Sequence, residues 1–111
     1  MILKEFSVYY LDKSYRADWN WVKLGRNETM NHHLAKLEVA KQLVIRGLPF
    51  LTECQLTGFG RVDVISPLSN EIFECLESET DAVFANKTFP KEFVVRKMKY
   101  DSKLKTNVEA V

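Results

Sequence analysis

Residues 60–79 have the sequence GRVDVISPLSNEIFECLESE, in which two largely apolar runs flank a short polar break. Pro67 and Asn70 are typical turn residues, so the segments 61–66 and 71–78 are predicted to be consecutive strands. Gly58, Phe59 and Gly60 supply a turn between residues 48–57 and 61–66, so these two segments are predicted to form a hairpin.

Each of the strands at 61–66 and 71–78 carries a carboxylate among apolar neighbours. Asp63 lies between two valines, and Glu74 occupies the middle of the next strand. A carboxylate in a buried strand requires a cation or hydrogen-bond donors, and two adjacent carboxylates repel each other unless a cation lies between them. The pair therefore predicts a magnesium site suited to phosphodiester hydrolysis. The alternative is two solvent-facing acids on a small sheet.

The segment before the strands is predicted to be an amphipathic helix over residues 28–46, because no glycine or proline interrupts it. Asn27 is its expected N-cap, Glu28 lies in its first turn, and Gly47 is its expected stop. At 100° per residue, six residues share its predicted apolar side: Met30, His33, Leu34, Leu37, Ala40 and Val44.

The rest of the chain completes an α+β pattern. A strand is predicted over residues 48–57, a short helix over 80–88 and a last strand over 93–100. Residues 1–27 are predicted to add one or two strands, and the polar residues 102–111 are predicted to fray. The expected order is helix, three strands, helix, strand.

Composition limits the class of protein. The chain has 111 residues, of which 46% are hydrophobic, with 16 basic and 15 acidic residues, and this predicts a single domain over residues 1–111. No apolar run approaches the length of a membrane helix, so we expect a soluble, intracellular, cytoplasmic protein. A core this small makes a homodimer an expectation. Two cysteines, Cys54 and Cys75, are expected to be free thiols.

Over residues 28–100, this succession of elements resembles the PD-(D/E)XK nuclease superfamily, which includes restriction endonucleases and archaeal Holliday-junction resolvases. The resemblance implies a restriction-endonuclease-like αβββαβ core with a mixed central sheet. It also implies a Mg²⁺- or Mn²⁺-dependent DNA endonuclease. Asp63 matches the family's Asp, Glu74 matches its third-strand Glu, and Glu38 is the best match to its helix Glu. These three residues would then hold the metal.

The family's lysine is replaced by Leu76, two residues after Glu74. A leucine can neither neutralise charge on a phosphate nor orient water. Lys41, on the predicted apolar side of the first helix, is our candidate for a relocated catalytic lysine, with Lys36 and Lys87 as others. The alternative for Lys41 is a chain that merely covers apolar surface. The protein could instead have kept the fold and lost catalysis.

Other residues have competing interpretations. Glu53 is a rival third acid, although an exposed strand carboxylate is the preferred interpretation. His32 and His33 lie where catalysis is conceivable, yet His33 is expected to be packed and hydrogen bonded. Four aromatic residues could stack on bases or contribute to the core and to dimer contacts: Tyr9, Tyr15, Trp19 and Trp21.

Charge is segregated along the chain. Residues 71–81 contain acidic but no basic residues, whereas residues 87–111 are predominantly basic. A basic region beside an acidic centre favours a phosphate backbone as ligand. Five residues are the candidate DNA contacts: Lys87, Lys91, Arg96, Lys97 and Lys99. The function predicted is a DNA endonuclease. The alternatives are a catalytically inactive nucleic-acid-binding module of the same fold and a protein-interaction subunit.

Overall fold

The computed structural model describes residues 3–76 and 87–109. Within these ranges the chain forms an α+β fold with two helices and a five-stranded mixed sheet. The helices are α1 (Leu3–Tyr10) and α2 (Met30–Ile45). The strands are β1 (Leu51–Leu56), β2 (Gly60–Ser66), β3 (Glu71–Cys75), β4 (Val94–Asp101) and β5 (Thr106–Glu109).

The strands lie side by side in sequence order, and only the pairing of β3 with β4 is parallel. The hairpin predicted from residues 48–57 and 61–66 is confirmed as the antiparallel pair of β1 with β2. The strand predicted after the turn at 67–70 is β3, which is antiparallel to β2, with Ser66 opposite Glu71 and Val64 opposite Phe73. Ile72 and Phe73 point to opposite faces of the sheet, and a separate apolar cluster covers each face. The α2 helix packs on one face, and Phe6 of α1 is buried in the cluster on the other.

The helix at residues 28–46 is confirmed as α2, but its cap and its buried side differ from the prediction. Thr29, not Asn27, is the N-cap and accepts a hydrogen bond from His32 N. Gly47, with a φ of 70°, follows the helix as expected. The buried side consists of Ala35, Lys36, Val39, Ala40 and Leu43, so of the predicted apolar side only Ala40 is buried. Apolar residues occur on both sides of α2, so periodicity alone chose the wrong one.

The termini also differ from the predictions. The N-terminal strands are wrong for residues 3–10, which form α1, because Phe6 and Tyr10 are four residues apart and stack on one helical face. The predicted fraying after Asp101 is wrong for β5, which pairs with β4. The predicted second helix at residues 80–88 falls mostly on residues outside the described ranges.

Candidate metal centre

The hairpin places the carboxylates of Asp63 and Glu74 where the regular pairing of β2 with β3 ends. Asp63 N donates a hydrogen bond to Glu74 Oε2 at 3.0 Å, and Cys75 N donates to Asp63 Oδ2 at 2.8 Å. Each carboxylate therefore accepts from the backbone of the opposing strand. Glu74 is only 2% exposed. Sequence reasoning expected these two acids to lie side by side, and the structure brings them together.

The two acids differ in proton affinity. Burial, followed by the negative charge of Asp63, raises the pKa of Glu74 to about 7. Burial would also raise the pKa of Asp63, but the nearby His32 imidazole, together with the hydrogen bond from the Cys75 N–H, holds it below its ordinary value. At neutral pH Asp63 is thus ionised while Glu74 is poised between its two forms.

Two further groups reach Asp63 from the start of α2. Glu28 precedes the N-cap Thr29, and His32 lies one turn further on. His32 Nε2 is 2.5 Å from Glu28 Oε2 and 3.4 Å from Asp63 Oδ1. Burial lowers the pKa of His32, yet the carboxylates of Asp63 and Glu28 outweigh this effect and leave it raised.

One observation shows that these groups fit a metal ion. His32 Nε2 is buried and has no partner with hydrogen-bond geometry, although it faces two carboxylates. One ligand atom each from Glu28, His32 and Asp63 lies within 4.8 Å of the others. An imidazole nitrogen and two carboxylate oxygens are a common ligand set for divalent cations. This cluster could therefore hold a metal.

A buried lysine fixes the position of Glu28. Lys36 is fully buried, and its Nζ donates to Glu28 Oε1 at 2.8 Å, Glu53 Oε1 at 2.9 Å and Lys23 O at 2.9 Å. These bonds use all three ammonium donors. Burial opposes the charge on Lys36, but its two carboxylate partners raise its pKa. Lys36 therefore links the helix, the loop before it and β1.

Gly25 forms the other wall around Glu28. Gly25 N donates to Glu28 Oε1 at 2.6 Å. A Cβ at position 25 would lie only 2.5 Å from that same oxygen. The glycine is therefore required for this carboxylate to approach the backbone so closely.

Glu53 occupies a strained position in β1, at the point where the register of β1 with β2 skips the pair Glu53 and Asp63. The register continues on both sides of this pair, from Thr52 opposite Val64 to Cys54 opposite Val62. Glu53 has a φ of 47°, which is unusual for a side-chain-bearing residue within a strand. Burial, with a contribution from Glu28, raises the pKa of Glu53 despite the nearby Lys36. Glu53, regarded as an exposed acid from sequence, is a partly buried partner of Lys36.

Lys87 is the lysine next to the central acids. Its ammonium forms an ion pair with Glu74 Oε1, and it also lies 5.7 Å from the ring centre of Phe89. Leu76 contributes only a backbone hydrogen bond here, from its N to Met98 O. Lys87 therefore places a positive charge beside Glu74.

Glu38 and Lys41 lie elsewhere. Glu38 lines a cavity of about 200 Å³ together with Phe73, Met98 and Asn107. Lys41 is exposed on the side of α2 that faces away from the sheet. Glu28, rather than Glu38, is the acid that α2 brings to Asp63.

The basic residues predicted to contact DNA are dispersed. Lys97 is the β4 neighbour of Glu74 in the parallel register. Arg96 Nε donates to Glu71 at 2.6 Å, on the opposite side of the strand. Lys91 and Lys99 are exposed. Lys87 and Lys97 are thus the two members nearest the acidic pair.

Sequence reasoning did not identify the combination of Glu28, His32 and Lys36. These residues are spaced four apart, so a helix or its immediate start places them on one side. The four-residue spacing of these polar residues is visible in the sequence, but the apolar residues on the other side of α2 led to the prediction of a different buried side.

Comparisons identify no relative of the chain: no family model, no curated protein and no solved structure matches it. Among the described residues, no helix is long and apolar enough to cross a membrane.

Proposed function

We propose that this protein is a metal-dependent nuclease that hydrolyses phosphodiester bonds in DNA. The observation that carries the proposal is the adjacency of Asp63 and Glu74, with Lys87 on Glu74 and with Glu28 and His32 on the other side of Asp63. Two strand acids with a nearby lysine are the groups that the PD-(D/E)XK resemblance requires. In this proposal Glu28 takes the metal-binding role that the sequence assigned to Glu38, and Lys87 takes the catalytic role that it assigned to Lys41.

The residues that would hold the cation are Asp63, Glu28 and His32, with Glu74 beside them. Mg²⁺ or Mn²⁺ is the proposed ion, and the imidazole favours Mn²⁺ because Mg²⁺ prefers oxygen ligands. A bound cation would polarise the scissile phosphate and lower the pKa of a coordinated water.

The side chains around the acids have complementary roles in this proposal. Lys87, whose side chain is 30% exposed, can reach a phosphate oxygen and stabilise its developing charge. Glu74, with its pKa of about 7, can accept a proton from the attacking water near neutral pH. Lys97 on the neighbouring strand would contribute to holding the DNA backbone.

The test uses plasmid, branched and single-stranded DNA with Mg²⁺ or Mn²⁺. We expect cleavage that is lost in Asp63→Ala and reduced at least tenfold in Lys87→Met, while an exposed-site control, Glu92→Gln, retains it. Glu28→Ala and Glu38→Ala distinguish the two candidate helix acids, and only the former should abolish cleavage. Cleavage that survives Asp63→Ala would refute the site.

The second candidate function is a catalytically inactive nucleic-acid-binding module. It is favoured by the replacement of the motif lysine by Leu76. This alternative predicts DNA binding that weakens as salt rises, with no cleavage in either metal. Cleavage assays and salt-dependent binding on the same preparation separate the two candidates.

A further inference from the structure

The side of α2 that faces away from the sheet carries four exposed large apolar residues. Met30, Leu37, Val44 and Ile45 are 69%, 43%, 62% and 68% exposed, respectively. They lie opposite the buried side of the helix that contains Val39. Exposed large side chains concentrated along one helical face indicate an interaction surface.

The spacing on this face is specific. Met30, Leu34, Leu37, Lys41 and Val44 follow one another at intervals of four, three, four and three residues. This is the spacing of the seam between two packed helices, and the 16 residues of α2 make that seam about 24 Å long. The face is therefore suited to a second helix.

We propose that a second copy of this chain covers the face, with the two α2 helices antiparallel. A symmetric pair centred near Val39 places Leu37 opposite the partner's Lys41 and Leu34 opposite the partner's Val44. The self-complementary pattern is what a twofold dimer requires.

Charge selects the antiparallel orientation. Lys41 lies in the middle of the seam, so a parallel pair would place two ammonium groups opposite each other. The antiparallel pair instead brings each Lys41 next to Glu38 of the other copy. Among the described residues, neither Lys41 nor Glu38 has an ion-pair partner within its own chain. Both charges are therefore available for this contact.

The dimer leaves the candidate metal centre open. His32 belongs to the side of α2 that faces the sheet, roughly 160–180° around the helix from Met30 and Lys41. A single helix pair buries less than the 800 Å² per partner of a standard interface, so we expect a dissociation constant in the micromolar range. The inference does not depend on the proposed nuclease activity.

Sedimentation equilibrium from about 1 μM to 500 μM tests the interface. We expect concentration-dependent dimerisation that Leu37→Glu weakens at least tenfold. Gln42→Glu, at an exposed position off the seam, is the matched control and should change the dissociation constant of the dimer less than threefold. Circular dichroism verifies that each variant is folded. A wild-type chain that stays monomeric, or a Leu37→Glu chain that dimerises normally, overturns the proposal.

A charge exchange tests the orientation. Lys41→Glu and Glu38→Lys should each weaken the dimer about three- to tenfold, and the double variant should restore it. Cross-linking gives a second readout, because the native thiols Cys54 and Cys75 are buried. A mixture of Leu37→Cys and Lys41→Cys chains should form a mixed disulfide faster than either variant forms its own. Faster self-linking of Leu37→Cys would overturn the antiparallel arrangement.

Discussion

Glu53 and Asp63 occupy the same register position on neighbouring strands, yet their carboxylates contact different side chains. Glu53 pairs with Lys36, whereas Asp63 lies beside His32. The two carboxylates therefore avoid direct repulsion. Glu53 contacts the ammonium of Lys36, and Asp63 contacts the candidate metal ligand His32. The strained backbone of Glu53 and the buried Lys36 support this arrangement.

Lys36→Met should destabilise the fold by about 3–5 kcal/mol, because it leaves the partly buried carboxylates of Glu28 and Glu53 without their shared cation. Urea unfolding followed by circular dichroism measures the change. Lys91→Met, at an exposed position before β4, is the control and should change stability by less than about 0.5 kcal/mol. Equal effects in the two variants would contradict the role assigned to Lys36.

Glu53→Gly should be more stable than Glu53→Ala by about 1 kcal/mol. Both variants lose the bond to Lys36, but only glycine adopts a φ of 47° without strain. At an ordinary strand position the alanine variant would be the more stable one. The difference in stability between the two variants therefore reports the backbone strain at position 53. Chemical denaturation of the two variants in parallel provides the measurement, and a more stable alanine variant would exclude strain at this position.

Gly25→Ala should weaken Mn²⁺ binding about tenfold with little loss of stability, because the added Cβ displaces the flexible end of Glu28 rather than backbone. Gly47→Ala is the opposite case. Gly47 has a φ of 70°, which is strained for alanine, and a Cβ added there would have no other atom within 4 Å. Gly47→Ala should therefore lose about 1 kcal/mol of stability and retain metal binding. Titration calorimetry with Mn²⁺ and thermal unfolding separate the two effects. Unchanged Mn²⁺ binding in Gly25→Ala would remove Glu28 from the ligand set.

Glu71 should make stability depend on acid pH. Burial acts to raise its pKa, but bonds from Ser69, Arg96 and Arg46 lower it below its ordinary value of 4.5. Its contribution is thus fully present above the unfolded-state value and is lost as pH falls through the lower folded-state pKa. Glu71→Gln should cost about 2 kcal/mol at pH 7 and progressively less below about pH 4. Urea unfolding of the wild-type chain and Glu71→Gln across this range checks the trend.

The hairpin and α2 could be predicted because local turn chemistry and uninterrupted helical residues determine them. The side on which α2 is buried could not, since it depends on Lys36 finding three partners from distant parts of the chain. Likewise, Asp63 and Glu74 could be paired from strand spacing alone. Glu28 could not be added, because its role depends on the helix beginning at Thr29 and on the space beside Gly25.

The N-cap at Thr29 has a dynamic consequence. Glu28 lies just outside α2 and His32 lies within its first turn, so the two proposed ligands keep their spacing only while that turn is intact. Fraying of the helix start would separate them without disturbing the sheet. A bound cation would therefore slow amide hydrogen exchange in the first turn of α2 far more than in β1 or β2. The helix end and the metal centre would then open as a single cooperative unit.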